Sequence, residues 1–336
     1  MRCLPPAPPP PSRFPLKSVA KSPFQAPSHG SDRPLALTNL PSPSYVRSHG
    51  ALVTQDEDDF LASGFEPQDI AVVRRLAWQG VDMAIKYGQR VSVGEATVMR
   101  LVREHTSIPY GLQVYGTVQE GGVTYIYQEW IAGGTLSDEW PTLSTSSRQA
   151  ALAHLSSIAN ELSSVTAPSG AQLGPFDVDR PHAGLQHTLR LTCDDAPLLP
   201  LKAPIHSVAE LESALDAIHR LRHGRSLPAS LRELVSPDSG KAPSPISLVH
   251  GDLLPRNVLV RPSDGTVVAL IDWEYAAWAP RWVEGYAAIV SSGHFFRPGL
   301  LPDTHDEVAD VQVAAALCGG MGEAKRWLAL YFSLYR

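Results

Sequence analysis

The stretch His250-Gly-Asp-Leu-Leu-Pro-Arg-Asn257 places a carboxylate a few residues before an amide, and Asp272 adds a second carboxylate just past the next apolar run. Such a set suits metal-assisted phosphoryl transfer. One carboxylate meets an acceptor hydroxyl, and two oxygen ligands hold the Mg2+ that neutralises nucleotide phosphates. Asp252 is the candidate for the first role: it orients the hydroxyl in line with the γ-phosphate and takes its proton late. Asn257, through its amide oxygen, and Asp272, through its carboxylate, are the candidate metal ligands. The plainer alternative for Asp252 is a turn Asp capping its own loop. His250 is expected to brace the loop rather than act as a base. Arg256 either touches Asp252 or a phosphate, or lies in solvent.

Two short apolar runs position these groups. Asn257 to Arg261 and Thr266 to Ile271 flank Pro262-Ser-Asp-Gly265, a strong turn signal. If Arg261 faces Thr266, then Asp272 lies opposite Pro255. Strand alternation then sets Asn257 and Asp272 on one side at one end of the hairpin. Val258, Val260, Val268 and Leu270 anchor it.

Upstream, Ala71–Trp78 and Val81–Lys86 read as strands around a Gln79-Gly80 turn. Ser92–His105 follows as an amphipathic helix, with Ala96, Met99, Leu101 and Val102 on its apolar face. Leu112–Val118 and Val123–Trp130 form the next hairpin, turning at Glu120-Gly-Gly122. Residues 54–62 look like a short helix, with Thr54 and Glu57 in capping-box positions. Ser146–Val165, Ser207–Arg222, Asp306–Leu317 and Glu323–Tyr335 read as helices. Residues 166–205 read mostly as loop, and residues 224–246 as a polar linker.

The pattern His-Gly-Asp-x-x-x-x-Asn followed by Ile271-Asp-Trp-Glu274 resembles the aminoglycoside phosphotransferase and choline kinase-like enzymes, distant relatives of protein kinases. Asn257-Val-Leu-Val and Ile271-Asp-Trp-Glu-Tyr275 look most like the fungal-type members. Protein kinases carry His-Arg-Asp and Asp-Phe-Gly at the corresponding places, so Gly251 and Trp273 favour a small-molecule kinase. The resemblance implies a two-lobed, α+β protein kinase-like fold. A small β-rich lobe would span residues 49–131, and a larger, mainly helical lobe residues 132–336. ATP and Mg2+ would sit in the cleft, and the γ-phosphate would pass to a hydroxyl of a small molecule. The resemblance further implies that Lys86 contacts the α- and β-phosphates and that Glu95 pairs with it. Backbone at Glu129 and Ile131, in the hinge-like Gln128-Glu-Trp-Ile131, would meet the adenine edge.

Two local alternatives stay open. Lys86 is also explicable as a surface lysine ending a strand. Ser92-Val-Gly-Glu95 is also a capping box, in which Glu95 would bond the Ser92 N–H. No Gly-x-Gly-x-x-Gly precedes Lys86, which keeps a catalytically inactive, nucleotide- or partner-binding scaffold as the second functional reading. No Ala-Pro-Glu marks a peptide-binding segment, so a protein kinase ranks low.

Composition bounds the rest. Apolar residues make up 43% and charged residues 18% of the 336-residue chain, ordinary values for a globular protein. No apolar run is long enough to span a membrane. Residues 1–50 carry six basic residues against one acidic, so the remainder holds nearly twice the net −6 of the whole chain. A body that acidic argues against nucleic acid as a partner. Cys3, Cys193 and Cys318 are far apart, fitting a reducing, cytoplasmic compartment, and neither they nor the histidines show metal-ligand spacing. Residues 1–48 are rich in Pro and Ser and are expected to form a disordered tail; a transit peptide is the minor reading of it. Trp273, Tyr275, Trp278, Trp282 and Tyr286, beside Glu274 and Glu284, either take a cationic acceptor or pack in the interior. The acceptor itself is not legible: amines, sugars, aminoglycosides and specialised metabolites all fit.

Overall fold

A computed structural model describes residues 39–54, 71–106, 112–176, 189, 204–235, 245–292 and 305–335. Its N-terminal part is a five-stranded antiparallel sheet of order β1-β2-β3-β5-β4, formed by Ala51–Leu52, Val72–Trp78, Val81–Gly88, Val114–Glu120 (β4) and Val123–Glu129 (β5). Two tight turns set its register. Gln79 and Gly80 have φ of 51° and 80°, and Gly121 and Gly122 have 60° and 79°. Two consecutive positive φ values match the twist of the flanking strands, and glycine takes them without steric cost. The helix Val93–His105 (α2) packs on one face through Ala96, Val98, Met99 and Val102.

The other face is also covered. Alternation turns Met83, Ile85 and Tyr87 away from α2, where they meet Val46 of the short helix Pro43–His49 (α1). Ser42 caps α1, and Pro43 starts it. Tyr127 donates its hydroxyl to the Pro41 carbonyl at 2.8 Å, and Trp78 donates its indole N–H to the Asn39 carbonyl at 3.1 Å. Arg47 lies 5.5 Å from the Tyr87 ring centre. The sequence reading assigns residues 1–48 to a disordered tail; the structure corrects this from Asn39 onward. The anchors are sparse, Leu40, Pro43 and Val46 among prolines and serines, and they become apolar burial only once the sheet presents its outer face.

The C-terminal part is mainly helical. Thr145–Leu162 (α4), Val208–His223 (α5), Trp282–Ser291 (α7), His305–Cys318 (α8) and Met321–Tyr335 (α9) surround two three-stranded sheets. The sheets are β10-β9-β6 (Val267–Leu270, Val258–Val260, Gly134–Thr135) and β7-β11-β8 (Gly174–Pro175, Ala277–Pro280, Ile246–Val249). The short helix Leu136–Glu139 (α3) follows β6. Ala229–Val235 forms a helix (α6) inside the expected polar linker, with Leu234 and Val235 buried. Its apolar positions are too few for the period to stand out from a linker. The helix expected over residues 54–62 lies, Thr54 apart, outside the described residues.

The β9–β10 hairpin exists, but its register differs from the simple count. Val267 pairs with Val260, whereas Ala269 pairs with Leu259 and Leu270 with Val258, because the strand bulges at Val268. Extended one step, Ile271 donates its N–H to the Asn257 carbonyl at 3.0 Å. Asp272 therefore falls one position away from the expected partner Pro255. A bulge of one residue moves every later side chain by one place, and nothing in an apolar run advertises it. Asn257 also closes a single 3-10 turn, Pro255–Asn257, instead of opening a strand.

Candidate active site

Lys86 is set by strand alternation. Its neighbours Ile85 and Tyr87 face α1, so Lys86 faces α2 and the C-terminal part. The ammonium is 2.8 and 3.0 Å from the two Glu95 oxygens and 2.7 Å from Asp272 Oδ1. Burial works against its charge, but Asp272 and Glu95 outweigh burial and hold the ammonium above its ordinary range. Burial pushes the Glu95 carboxyl up against the pull of Lys86. The two jobs open to Glu95 are thereby separated. Ser92 caps α2 through its hydroxyl, which accepts the Gly94 N–H at 2.9 Å. The Glu95 carboxylate instead turns to Lys86 and accepts the Trp273 N–H at 3.2 Å. Lys86 is correspondingly buried, unlike a surface lysine.

The catalytic-type loop rests on irregular backbone. Gly251 has φ of 74°, and a Cβ there would sit 2.4 Å from the Tyr275 carbonyl oxygen, so only glycine fits. Asn257 donates Nδ2 to the Asp252 carbonyl at 2.9 Å and to Asp252 Oδ2 at 2.8 Å. Arg256 donates Nη2 to the same carboxylate at 3.0 and 3.2 Å, which places it on Asp252 and not in solvent. Despite burial, Asp252 and Asp310 hold its guanidinium above the ordinary value. His250 is fully buried and braces the loop on both sides. Its Nε2 lies 3.1 Å from the Ile271 carbonyl, and its Nδ1 accepts the Asp252 N–H at 3.3 Å. That pairing fixes the neutral tautomer with the proton on Nε2.

Asp272 has φ of 65° and ψ of 64°, a left-handed conformation uncommon for a residue with a side chain. Burial raises its carboxyl, but Lys86 outweighs burial, and the group is held below its ordinary range. The Asp252 charge acts on it as well, so the two carboxylates share one neighbourhood. The donor set fits a divalent cation held jointly with phosphates. Both Asn257 N–H groups are spent on Asp252, which leaves its amide oxygen as the atom that could meet a cation. Asp272 Oδ2 makes no hydrogen bond among the described residues. No group of three or more His, Cys, Asp or Glu side chains that could hold a metal occurs among the described residues. Mg2+ needs no such cage, because it keeps waters and takes substrate phosphate oxygens.

At the hinge-like segment, Glu129 gives its N–H to the Gln113 carbonyl at 2.8 Å, and Trp130 gives its own to the Asp82 carbonyl at 3.2 Å. The Ile131 N–H makes no hydrogen bond among the described residues.

Two further residues tie these groups together: Glu284, which the sequence places only beside the aromatic residues, and Arg90, which the sequence does not single out. Glu284, buried on α7, accepts the N–H of His250 at 2.6 Å and of Gly251 at 3.2 Å. Burial pushes its carboxyl up to about 7, although these amides pull it down. Arg90 grips Glu274, with Nε 2.9 Å from Oε2 and Nη2 on Oε1, and also donates to the Tyr275 hydroxyl at 3.1 Å. The charges of Glu274 and Glu284 are visible in sequence, but their partners are not. The aromatic residues do not form one cluster. Trp273 packs on His250, with ring centres 4.4 Å apart, while Trp282 stacks on Trp327 at 4.9 Å and meets Tyr286 edge-on. Trp273 and Tyr286 are buried, Trp278 and Trp282 pack half-buried against the core, and Tyr275 is half-buried with its hydroxyl on Arg90.

No match was found among curated proteins. Solved structures show low likeness. A thermostable mutant of aminoglycoside phosphotransferase APH(4)-Ia, in ternary complex with AMP-PNP and hygromycin B, aligns over 86% of this chain and 96% of its own, at 14% identity and a TM-score of 0.44. The streptomycin–ATP–APH(2")-IIa ternary complex aligns over 82% of this chain and 86% of its own, at 13% identity and a TM-score of 0.43. At these values they are likenesses of shape and no more. A family model described as "Phosphotransferase enzyme family" matches residues 89–327, a stretch that contains Glu95, Asp252, Asn257 and Asp272. With most of its length inside that match, the chain belongs to the phosphotransferase enzyme family, APH.

Proposed function

We propose that the protein is an ATP- and Mg2+-dependent phosphotransferase that moves the γ-phosphate to a hydroxyl of a small molecule, with Asp252 orienting the acceptor. The observation that carries this reading is the convergence on Asp272. Lys86, anchored by Glu95, reaches Asp272 from the N-terminal sheet, and Asn257 ties Asp252 into the same neighbourhood. Lys86 would engage the α- and β-phosphates, and the Ile131 N–H, which makes no hydrogen bond among the described residues, would meet the adenine edge together with the Glu129 carbonyl. Asn257 Oδ1 and Asp272 would hold Mg2+, whose chemistry there is to neutralise charge on the phosphate oxygens. Asp252 would accept a hydrogen bond from the acceptor hydroxyl and take its proton late, while Arg256 and Asn257 keep the carboxylate aimed. Within the family, the Asn257-Val-Leu-Val and Ile271-Asp-Trp-Glu-Tyr275 segments favour a fungal-type member, and the three widely spaced cysteines favour a cytoplasmic one.

The second reading, a nucleotide-binding scaffold without turnover, is favoured by the sequence, in which no Gly-x-Gly-x-x-Gly precedes Lys86. The deciding experiment measures ADP release across a panel of hydroxylated metabolites, with the Asp252→Asn variant alongside. A metabolite-dependent signal that Asp252→Asn lowers by about 10^2- to 10^4-fold, with nucleotide affinity kept, is expected. ATP binding with no metabolite-dependent release in either protein favours the scaffold.

A further inference from the structure

Three charged side chains from the N-terminal part end on one short segment, residues 272–275. Lys86 pairs with Asp272, Glu95 accepts the Trp273 N–H, and Arg90 grips Glu274 and Tyr275. The segment has little local structure of its own. Asp272 is left-handed, and the following residues make a single 3-10 turn, Trp273–Tyr275, closed by the Ala276 N–H on the Trp273 carbonyl at 3.1 Å. Its position is therefore imposed from outside.

The three ties are not equivalent. Lys86 has three N–H donors and meets both Glu95 oxygens and Asp272, so under the proposed function a nucleotide phosphate competes with Asp272 for it. The Glu95 tie is one backbone hydrogen bond. Arg90 is different: it lies between β3 and α2, uses Nε and Nη2 as a two-pronged fork on one carboxylate, and adds a phenol. None of these contacts involves Asp272 or a phosphate, so nucleotide binding leaves them whole. A planar fork also fixes orientation, which a lysine ammonium does not.

We propose that Arg90 is a positioning residue for Asp272, holding segment 272–275 in register while Lys86 turns to the nucleotide. This rests on the phosphotransferase reading and adds a residue and a role to it. Without Arg90, Glu274 is left mostly buried and uncompensated, and segment 272–275 loses its two-pronged tie from outside.

The test has two arms, run on the full chain. In the first, hydrogen exchange at the Trp273 and Ala276 amides is followed without nucleotide. In the second, Mg2+-dependent binding of ADP is measured by calorimetry. Arg90→Gln is expected to speed exchange at both amides, and to weaken Mg2+-dependent ADP binding, by about tenfold. Arg90→Lys should recover part of the loss. The reversed pair Arg90→Glu with Glu274→Arg should recover most of it, and it keeps the test open if the single variant folds poorly. Arg326→Gln, which breaks an ion pair with Glu323 on α9, should move neither reading. If Arg90→Gln merely lowers the melting temperature, with exchange at these amides and Mg2+-dependent binding as in wild type, Arg90 is a staple and the inference is overturned. Wild-type protein that binds no ADP with Mg2+ defeats the phosphotransferase reading and this inference together; wild-type binding that Arg90→Gln leaves intact overturns this inference alone.

Discussion

Lys86 and Glu95 stand on a strand and on the helix that follows it, whereas Asp252, Asn257 and Asp272 stand on loops, a 3-10 turn and a left-handed residue. The first pair is held by periodicity. Strand alternation aims Lys86, the first turn of α2 delivers Glu95, and the contact spans nine residues of sequence. The second set has no ladder or helix to hold it, so other groups take over its backbone. Glu284 accepts two loop amides from 33 and 34 residues away, and His250 joins the loop to the Ile271 carbonyl. Regular elements supply precision through their own hydrogen bonds. An irregular loop reaches similar precision only by burying polar anchors that satisfy its amides. The two regions should therefore fail differently.

The largest stability loss is expected where charge is buried. Lys86→Met removes the cation between Glu95 and Asp272 and should cost about 3–5 kcal/mol in denaturant unfolding, because two carboxylates are left facing each other. A cost under about 1 kcal/mol would mean that this half is as loosely held as a surface ion pair. Next comes Glu284→Ala, which strands the His250 and Gly251 amides in the interior. A loss of about 2–4 kcal/mol is expected, with turnover falling beyond what the lost folded fraction explains. Turnover that tracks the folded fraction alone would separate Glu284 from the loop geometry.

The same carboxylate sharpens the contrast through pH. Its folded value of about 7 lies above the ordinary 4.5, so the folded state holds the proton more tightly than the unfolded chain. Its contribution is greatest below about pH 4.5 and declines as the pH rises through 7. The slope is at most about 1.4 kcal/mol per pH unit. Unfolding free energies of wild type and Glu284→Gln, compared between pH 4.5 and 7, should diverge in slope across that window; parallel curves would remove the argument. The smallest effect belongs to the regular half. Gly80→Ala introduces a Cβ that meets nothing within 4 Å, so only the positive φ is penalised, by about 1 kcal/mol.

Much of the architecture was legible in the chain because it rests on local rules. The two N-terminal hairpins, α2, α4, α5, α8 and α9 follow from turn residues and apolar period, and their observed bounds differ from the expected ones by only a few residues, whereas α3, α6 and α7 have no expected counterpart. The functional residues were legible as types: a carboxylate, an amide and a second carboxylate around an apolar hairpin. Their placement was not. The bulge at Val268 alters the register that the turn predicts, and the left-handed Asp272, not strand alternation, aims the second carboxylate. The outer face of the sheet is a parallel case, since Leu40 and Val46 look like stray apolar residues in a Pro- and Ser-rich stretch.

The chain by itself determined which groups are present and which short elements carry them, because propensity, turn chemistry and alternation act over a few residues. Tertiary structure alone decided who meets whom. Lys86 finds Asp272, Glu284 finds the His250 and Gly251 amides, and Arg90 finds Glu274. Each of these contacts joins groups on separate elements, and it forms because a buried charge or amide must be paired with whatever partner the packed fold brings near.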